Sequence, residues 1–213
     1  MKLYFVRHGR TQWNEEGRFQ GASGDSELLP TAIEELHLLG QSLSAISFDK
    51  IFSSDLQRAL TTAEILNQEN NQPQTIITTP ALREWQLGRL EGSKIATMEA
   101  IYPLQIQAFR SNLAKFNNRM FDAESVYQTT KRVADFLLTL KDKDYENVLI
   151  IGHGANLVAS IRSLLGYEIG NLRDQGGLRN GSLTILETKD FEHFELLTWN
   201  NIDHLQQAET VKA

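Results

Sequence analysis

The chain has 213 residues, 41% apolar and 23% charged, which suits one sizeable α/β domain and excludes a disordered polymer. Its 21 basic and 27 acidic side chains give a formal charge of −6, a poor balance for non-specific grip on nucleic acid or an anionic membrane. Without cysteine, disulfides, thiolate zinc sites, Fe–S clusters and cysteine nucleophiles all drop out.

Leu3–Val6 reads as a buried strand, and Ile33, Leu36, Leu39, Leu43 and Ile46 recur at helical spacing. Ile51-Phe52 is a second short strand. The Ser53-Ser54-Asp55 cluster behind it predicts the N-cap of a helix through Leu56, Ala59, Ala63 and Leu66. Thr75–Thr79 is β-branched and strand-like, while Ile95 to Leu113 reads as one or two helices interrupted near Pro103. Ala108–Glu124 is polar and irregular, a lid or a frayed connection. Val126, Val133, Leu137 and Leu140 mark an amphipathic helix, and Val148–Ile151 is the clearest buried strand, with a helix through Leu157, Ile161 and Leu165 after it. Leu183–Leu186 and Phe194–Thr198 close the chain as strands. The alternation predicts a single α/β domain over 1–213, a three-layer α/β/α sandwich around a mostly parallel sheet. The start has too short an apolar run for a signal peptide, and no stretch approaches ~20 apolar residues, so a soluble cytoplasmic protein is expected.

Two strand ends share one design: Leu3–Val6 runs into Arg7-His8-Gly9, and Val148–Ile151 into Gly152-His153-Gly154. Ligands of open α/β sheets sit beyond the carboxyl ends of strands, and glycine beside each histidine leaves its ring reachable. The helix after His153 offers N-terminal N–H groups to an anion. Arg58, directly after another strand end, is either a surface arginine or, with Arg7, half of a guanidinium clamp for phosphate. Glu84, in Leu82-Arg83-Glu84-Trp85, is either one half of an Arg83–Glu84 surface pair or a carboxyl whose neutral form is favoured beside Trp85. Metal binding is the rival use of two histidines. There is no His-x-x-x-His, His37, His193 and His204 lie elsewhere, and the acidic residues are scattered, so no metal is expected.

In order and at plausible spacing, these blocks resemble the histidine phosphatase superfamily, also called the phosphoglycerate mutase-like family. The resemblance rests on Arg7-His8-Gly9-x-Thr11 with Trp13-Asn14, Arg18-Phe19 and Gln20-Gly21 behind it, and on Ser53-Ser54-Asp55-Leu56-x-Arg58-Ala59-x-x-Thr62-Ala63. Leu82-Arg83-Glu84 with Gly88 and Glu91-Gly92, Gly152-His153-Gly154 and Asn180-Gly181-Ser182 complete it, over about residues 2 to 199. The chain departs from the family's usual Ser-Pro-Leu-Thr-x-x-Gly in reading Ser26-Glu27-Leu28-Leu29-Pro30-Thr31-Ala32, which touches a helix start rather than the pocket.

The resemblance implies that His8 takes the phosphoryl group on a ring nitrogen, that Arg7, Arg58 and His153 hold its non-bridging oxygens, and that Glu84 protonates the leaving alcohol. Asn14 would contact the phosphoryl group, and Gln20 and Gly21 the substrate. Asn156 would reach the substrate or cap its helix. The implied reaction is phosphomonoester hydrolysis on a small phosphorylated metabolite through a phosphohistidine, without metal or cofactor. Nucleic acid and membrane are not expected partners, and a homodimer is left open. Mutases of the family carry an arginine- and proline-rich insertion between acid and second histidine. Ala108–Glu124 offers only Arg110, Lys115 and Arg119, so a phosphoglycerate mutase is the alternative and a non-catalytic phospho-ligand binder a further one.

Overall fold

In a computed structural model, residues 1–205 are described; the 206–213 end of the expected domain lies outside the described residues. The chain runs β1 (Lys2–Arg7), α1 (Gln12–Glu15), α2 (Pro30–Leu43), β2 (Lys50–Ser54), α3 (Gln57–Glu69), β3 (Ile76–Thr79), α4 (Ile95–Ile101) and α5 (Pro103–Ser111). It continues through α6 (Val126–Leu138), β4 (Asn147–Gly152), α7 (Gly154–Leu164), β5 (Leu183–Thr188) and β6 (Phe194–Asn201). The six strands form one sheet in the order β3-β2-β4-β1-β5-β6. The β3-β2-β4-β1 pairings are parallel, whereas β5 runs antiparallel to both β1 and β6.

Burial on both faces explains why β1 and β4 read as continuous apolar runs. Leu3 and Phe5 alternate with Tyr4 and Val6. The first pair packs with Val148 and Ile150 under α6 and α7, through Val133, Leu137, Leu157 and Ile161. The second packs with Leu149 and Ile151 against α2 and α3, through Leu39, Leu43, Ala59 and Leu66. These are the three layers expected.

Local chemistry sets the element ends. Ser125 caps α6 in a capping box with Gln128, and α6 ends at Leu138, ahead of Leu140. Pro103 divides the predicted helical stretch into α4 and α5, occupying the first turn of α5 where a missing N–H costs nothing. At α2, Leu29 stands at the N-cap with no side-chain hydrogen bond, and Pro30 follows at N1.

Two expectations are corrected. Ser53 and Ser54 belong to β2, and the N-cap of α3 is Leu56, without a side-chain cap. The N–H of Gln57 is met from across the site by Asp25 Oδ2 at 2.7 Å. Nor is 108–124 a frayed connection: Phe109, Leu113, Phe116 and Phe121 are buried together with Phe19, Trp85, Leu87, Leu90 and Ile106 in a cluster of their own. Among the described residues no helix is long and apolar enough to cross a membrane.

Candidate active site

Neighbouring strands β1 and β4 end level with each other, Arg7 opposite Gly152. From there the chain leaves β1 toward α2 on one face and β4 directly into α7 on the other, opening the crevice in which such sheets hold ligands. The His8 N–H donates to Gly152 O at 3.0 Å, and the His8 and His153 rings lie 5.1 Å apart between centroids. His8 Nδ1 is 2.7 Å from Gly9 O. A carbonyl only accepts, so Nδ1 carries the hydrogen and Nε2 keeps its lone pair.

Burial, with Arg58 and Arg7 beside it, holds the His8 ring well below the ordinary histidine range. Burial and the same arginines do so for His153, so both rings are neutral near pH 7. His153 Nε2 meets Ser54 Oγ at 2.8 Å, while its Nδ1 is buried without a partner.

The glycines do something other than expose the rings. A Cβ on Gly154 would come within 2.9 Å of the Arg7 guanidinium, and one on Gly9 within 2.8 Å of Leu36. Their absence lets Arg7 and α2 close in on the site.

Arg58 is buried. Its Nη1 donates to Gly24 O at 2.7 Å and Asp25 Oδ1 at 3.0 Å, and its Nη2 to Gly21 O at 2.8 Å. Three of its five donors are thereby committed, leaving Nε–H and one Nη2–H for a ligand. Arg7 donates from Nη1 to Leu178 O and, pushed down to about 10 chiefly by burial, still carries its charge at neutral pH. The Nε atoms of Arg7, Arg58 and Arg173 are buried without partners, and all three side chains line one pocket. Buried donors normally find acceptors, so this group fits an oxyanion.

Glu84 faces the same pocket. Its Oε1 accepts from the N–H groups of Trp85 at 2.8 Å and Asn156 at 2.7 Å, and its Oε2 from Ala155 at 3.0 Å. The first N–H groups of α7 are therefore taken up by the Glu84 carboxyl oxygens. Arg83 pairs with Asp55 instead, at 2.7 and 2.8 Å.

The pocket also brings in Asn14, Gln20 and Gly21. Asn14 Oδ1 accepts from the Thr11 N–H, from Thr11 Oγ1 and from Asn180 Nδ2, at 3.1 to 3.2 Å, which turns its Nδ2 elsewhere. Gln20 Nε2 donates to Thr11 Oγ1 at 2.8 Å. Gly21, at φ +64°, turns the loop that meets Arg58, and a Cβ there would strike Glu91 at 2.2 Å.

Asn156 is corrected. It lies outside the pocket lining and is not the N-cap, which is His153; its Nδ2 donates to Arg83 O at 2.7 Å and its Oδ1 accepts from Ser160. Arg18, Arg110 and Arg173 also line the pocket, joined by apolar Phe19, Leu87, Ile95 and Phe109. Arg173 lies 4.4 Å over the Phe109 ring and donates to Phe109 O at 2.7 Å. No local pattern marked it, because it comes from an irregular loop. Arg18 and Arg110 were visible as residues but not as pocket wall. Among the described residues, no cluster of three or more histidine or acidic side chains suits a metal ion.

The model of the histidine phosphatase superfamily (branch 1) matches residues 3–202. The chain is 33% identical to the "Putative phosphoserine phosphatase 2" of Hydrogenobacter thermophilus, covering 80% of this chain and 82% of the relative. It is 34% identical to a 2,3-bisphosphoglycerate-dependent phosphoglycerate mutase of Cytophaga hutchinsonii, covering 76% of each. Its fold superimposes on a mycobacterial glucosyl-3-phosphoglycerate phosphatase solved with VO3, with a TM-score of 0.84, 27% identity, and 93% and 98% of the two chains covered.

Proposed function

Because the chain belongs to the histidine phosphatase superfamily (branch 1), we propose that it hydrolyses a small phosphomonoester through a phosphohistidine on His8, without a metal ion. The observation that carries this reading is the neutral His8 ring, its Nδ1 tied to Gly9 O, in a pocket shared by the Arg7 and Arg58 guanidiniums and the Glu84 carboxyl.

The His8 Nε2 lone pair forms the P–N bond while the ester P–O bond breaks. The departing oxygen keeps that electron pair and takes the Glu84 proton. Glu84 then accepts a proton from water, whose oxygen attacks phosphorus. The P–N pair returns to Nε2 and orthophosphate leaves. Arg7, Arg58 and His153 stabilise the spread negative charge, which is most of what phosphoryl transfer asks of a protein.

Hydrolysis is favoured over isomerisation by the 108–124 segment, whose aromatic residues build a core rather than a cationic cover. The charge count behind that preference changes, however. Arg18, Arg110 and Arg173 bring the guanidiniums lining the pocket to five. That keeps a second reading, a phosphoglycerate mutase retaining a doubly phosphorylated intermediate. The test is phosphate release from a panel of phosphomonoesters in EDTA, wild type beside His8→Ala, with 3-phosphoglycerate scored for isomerisation with and without 2,3-bisphosphoglycerate. Hydrolysis in EDTA that His8→Ala abolishes is the expected result. Isomerisation that needs the bisphosphate makes the protein a mutase, and phosphate binding without turnover on any ester makes it a binder.

A further inference from the structure

We propose that Arg132 is a positioning residue for the proton donor, holding Glu84 at its transfer distance from outside the pocket; the assignment rests on the phosphatase reading above. Arg132 stands on α6 and does not line the pocket. Its Nη1 donates to Ala81 O at 2.7 Å and Arg83 O at 2.8 Å. Its Nη2 donates to Glu84 O at 2.9 Å and Glu124 Oε2 at 3.1 Å, and its Nε to Glu124 Oε1 at 3.0 Å.

A guanidinium has five N–H donors, so this one is saturated. Arg83 O and Glu84 O belong to the two peptide groups flanking the Glu84 Cα, so the backbone that carries the carboxyl is tied down on both sides. Glu124 is fixed in turn by the Gln86 N–H at 3.1 Å and Thr129 Oγ1 at 3.2 Å, and its own carbonyl accepts from Trp85 Nε1 at 2.9 Å. An ion pair serving only to dock α6 would need none of the three carbonyls, and a lysine, with three donors and no planar fork, cannot replace the pattern.

The chemistry explains why such rigidity matters. A proton donor works within about 2.6–3.2 Å of the leaving oxygen, and a 1 Å misplacement can cost ~100-fold. Arg132 therefore acts where the Glu84 proton matters, on alkyl esters, and much less where an aryl oxide leaves unaided.

The experiment compares kcat/KM on glycerol 2-phosphate and p-nitrophenyl phosphate for wild type, Arg132→Lys, Glu84→Gln and the double variant. The expected result is an Arg132→Lys loss about 10–100-fold larger on the alkyl than on the aryl ester. In the Glu84→Gln background the same change costs less than about 2-fold, because both substitutions remove one function. Equal losses on the two esters, or an undiminished loss in the Glu84→Gln background, overturn the proposal and leave Arg132 a stabiliser of the fold. Should Arg132→Lys not fold, Glu124→Gln replaces it, with the same split supporting the proposal and equal losses overturning it. A wild type inactive on both esters overturns the phosphatase reading and this assignment together. Aryl ester hydrolysis that needs His8 but shows no alkyl–aryl split strikes only the assignment of Arg132.

Discussion

The Glu84 carboxyl accepts three backbone N–H groups from two segments; an amide of the same size keeps the two on Oε1, turns its donating NH2 toward the Ala155 N–H and has no acidic proton to give. Glu84→Gln is expected to lower kcat about 100–10,000-fold on alkyl phosphates and far less on aryl phosphates; a leaving-group series checks this, and equal losses would take Glu84 out of the role. His8, Arg7 and His153 were legible because strand ends leave a sequence signature, an apolar run broken by glycine. Glu84 was legible only as one member of an ordered set of blocks. Asn156 was misjudged because a polar residue at a helix start looks the same whether it faces a ligand or, as here, ties Arg83 O to Ser160. Arg173 carried no signal, since the pocket wall it joins is assembled from distant segments.

Elements tell a similar story in packing. The strands and the helices against them followed from periods of two and 3.6. Phe109, Leu113 and Phe116 do stand at i, i+4 and i+7, but α5 ends at Ser111 and the polar residues between these side chains and Phe121 made the stretch look like a frayed link. Their contacts instead run to Trp85, whose side chain is 0% exposed and 5.5 Å from the Phe109 ring between centroids. Trp85 follows Glu84 directly, so this cluster is the floor under the Glu84 carboxyl. Trp85→Ala is expected to cost about 3–5 kcal/mol in chemical denaturation; a loss under ~1 kcal/mol would mean that the cluster contributes little to the fold. The start of α3 makes the same point for polar groups. Its N–H partner, Asp25, lies 32 positions away in sequence and also holds Arg58, a pairing that no local capping rule anticipates.

Over the whole molecule, the buried neutral histidines tie stability to pH. His8 and His153 titrate well below 6.5 when folded and near 6.5 when unfolded, so below 6.5 the unfolded chain binds protons that the fold refuses, and stability falls as pH falls. His204, lowered by burial, acts in the same direction; exposed His193, raised by its hydrogen bond to Asp190, acts in the opposite one. Asp55, held low by Arg83, loses its contribution only as pH drops through the carboxylate range. A Tm that declines steadily from pH 6.5 to 5 is expected, shallower in a His8→Gln, His153→Gln double variant; a flat wild-type profile would contradict the buried neutral pair. The sheet that positions this pair was legible in its alternation of elements, whereas the antiparallel β5 was not, because neither burial nor period reports strand direction. The central claim is the phosphohistidine itself. Quenching the protein in alkali during turnover of a phosphomonoester, and mapping phosphate by peptide mass spectrometry, tests it most directly. One acid-labile phosphoryl group is expected on the peptide carrying His8 and none in His8→Ala; turnover with no phosphate ever on His8 would rule the phosphohistidine out.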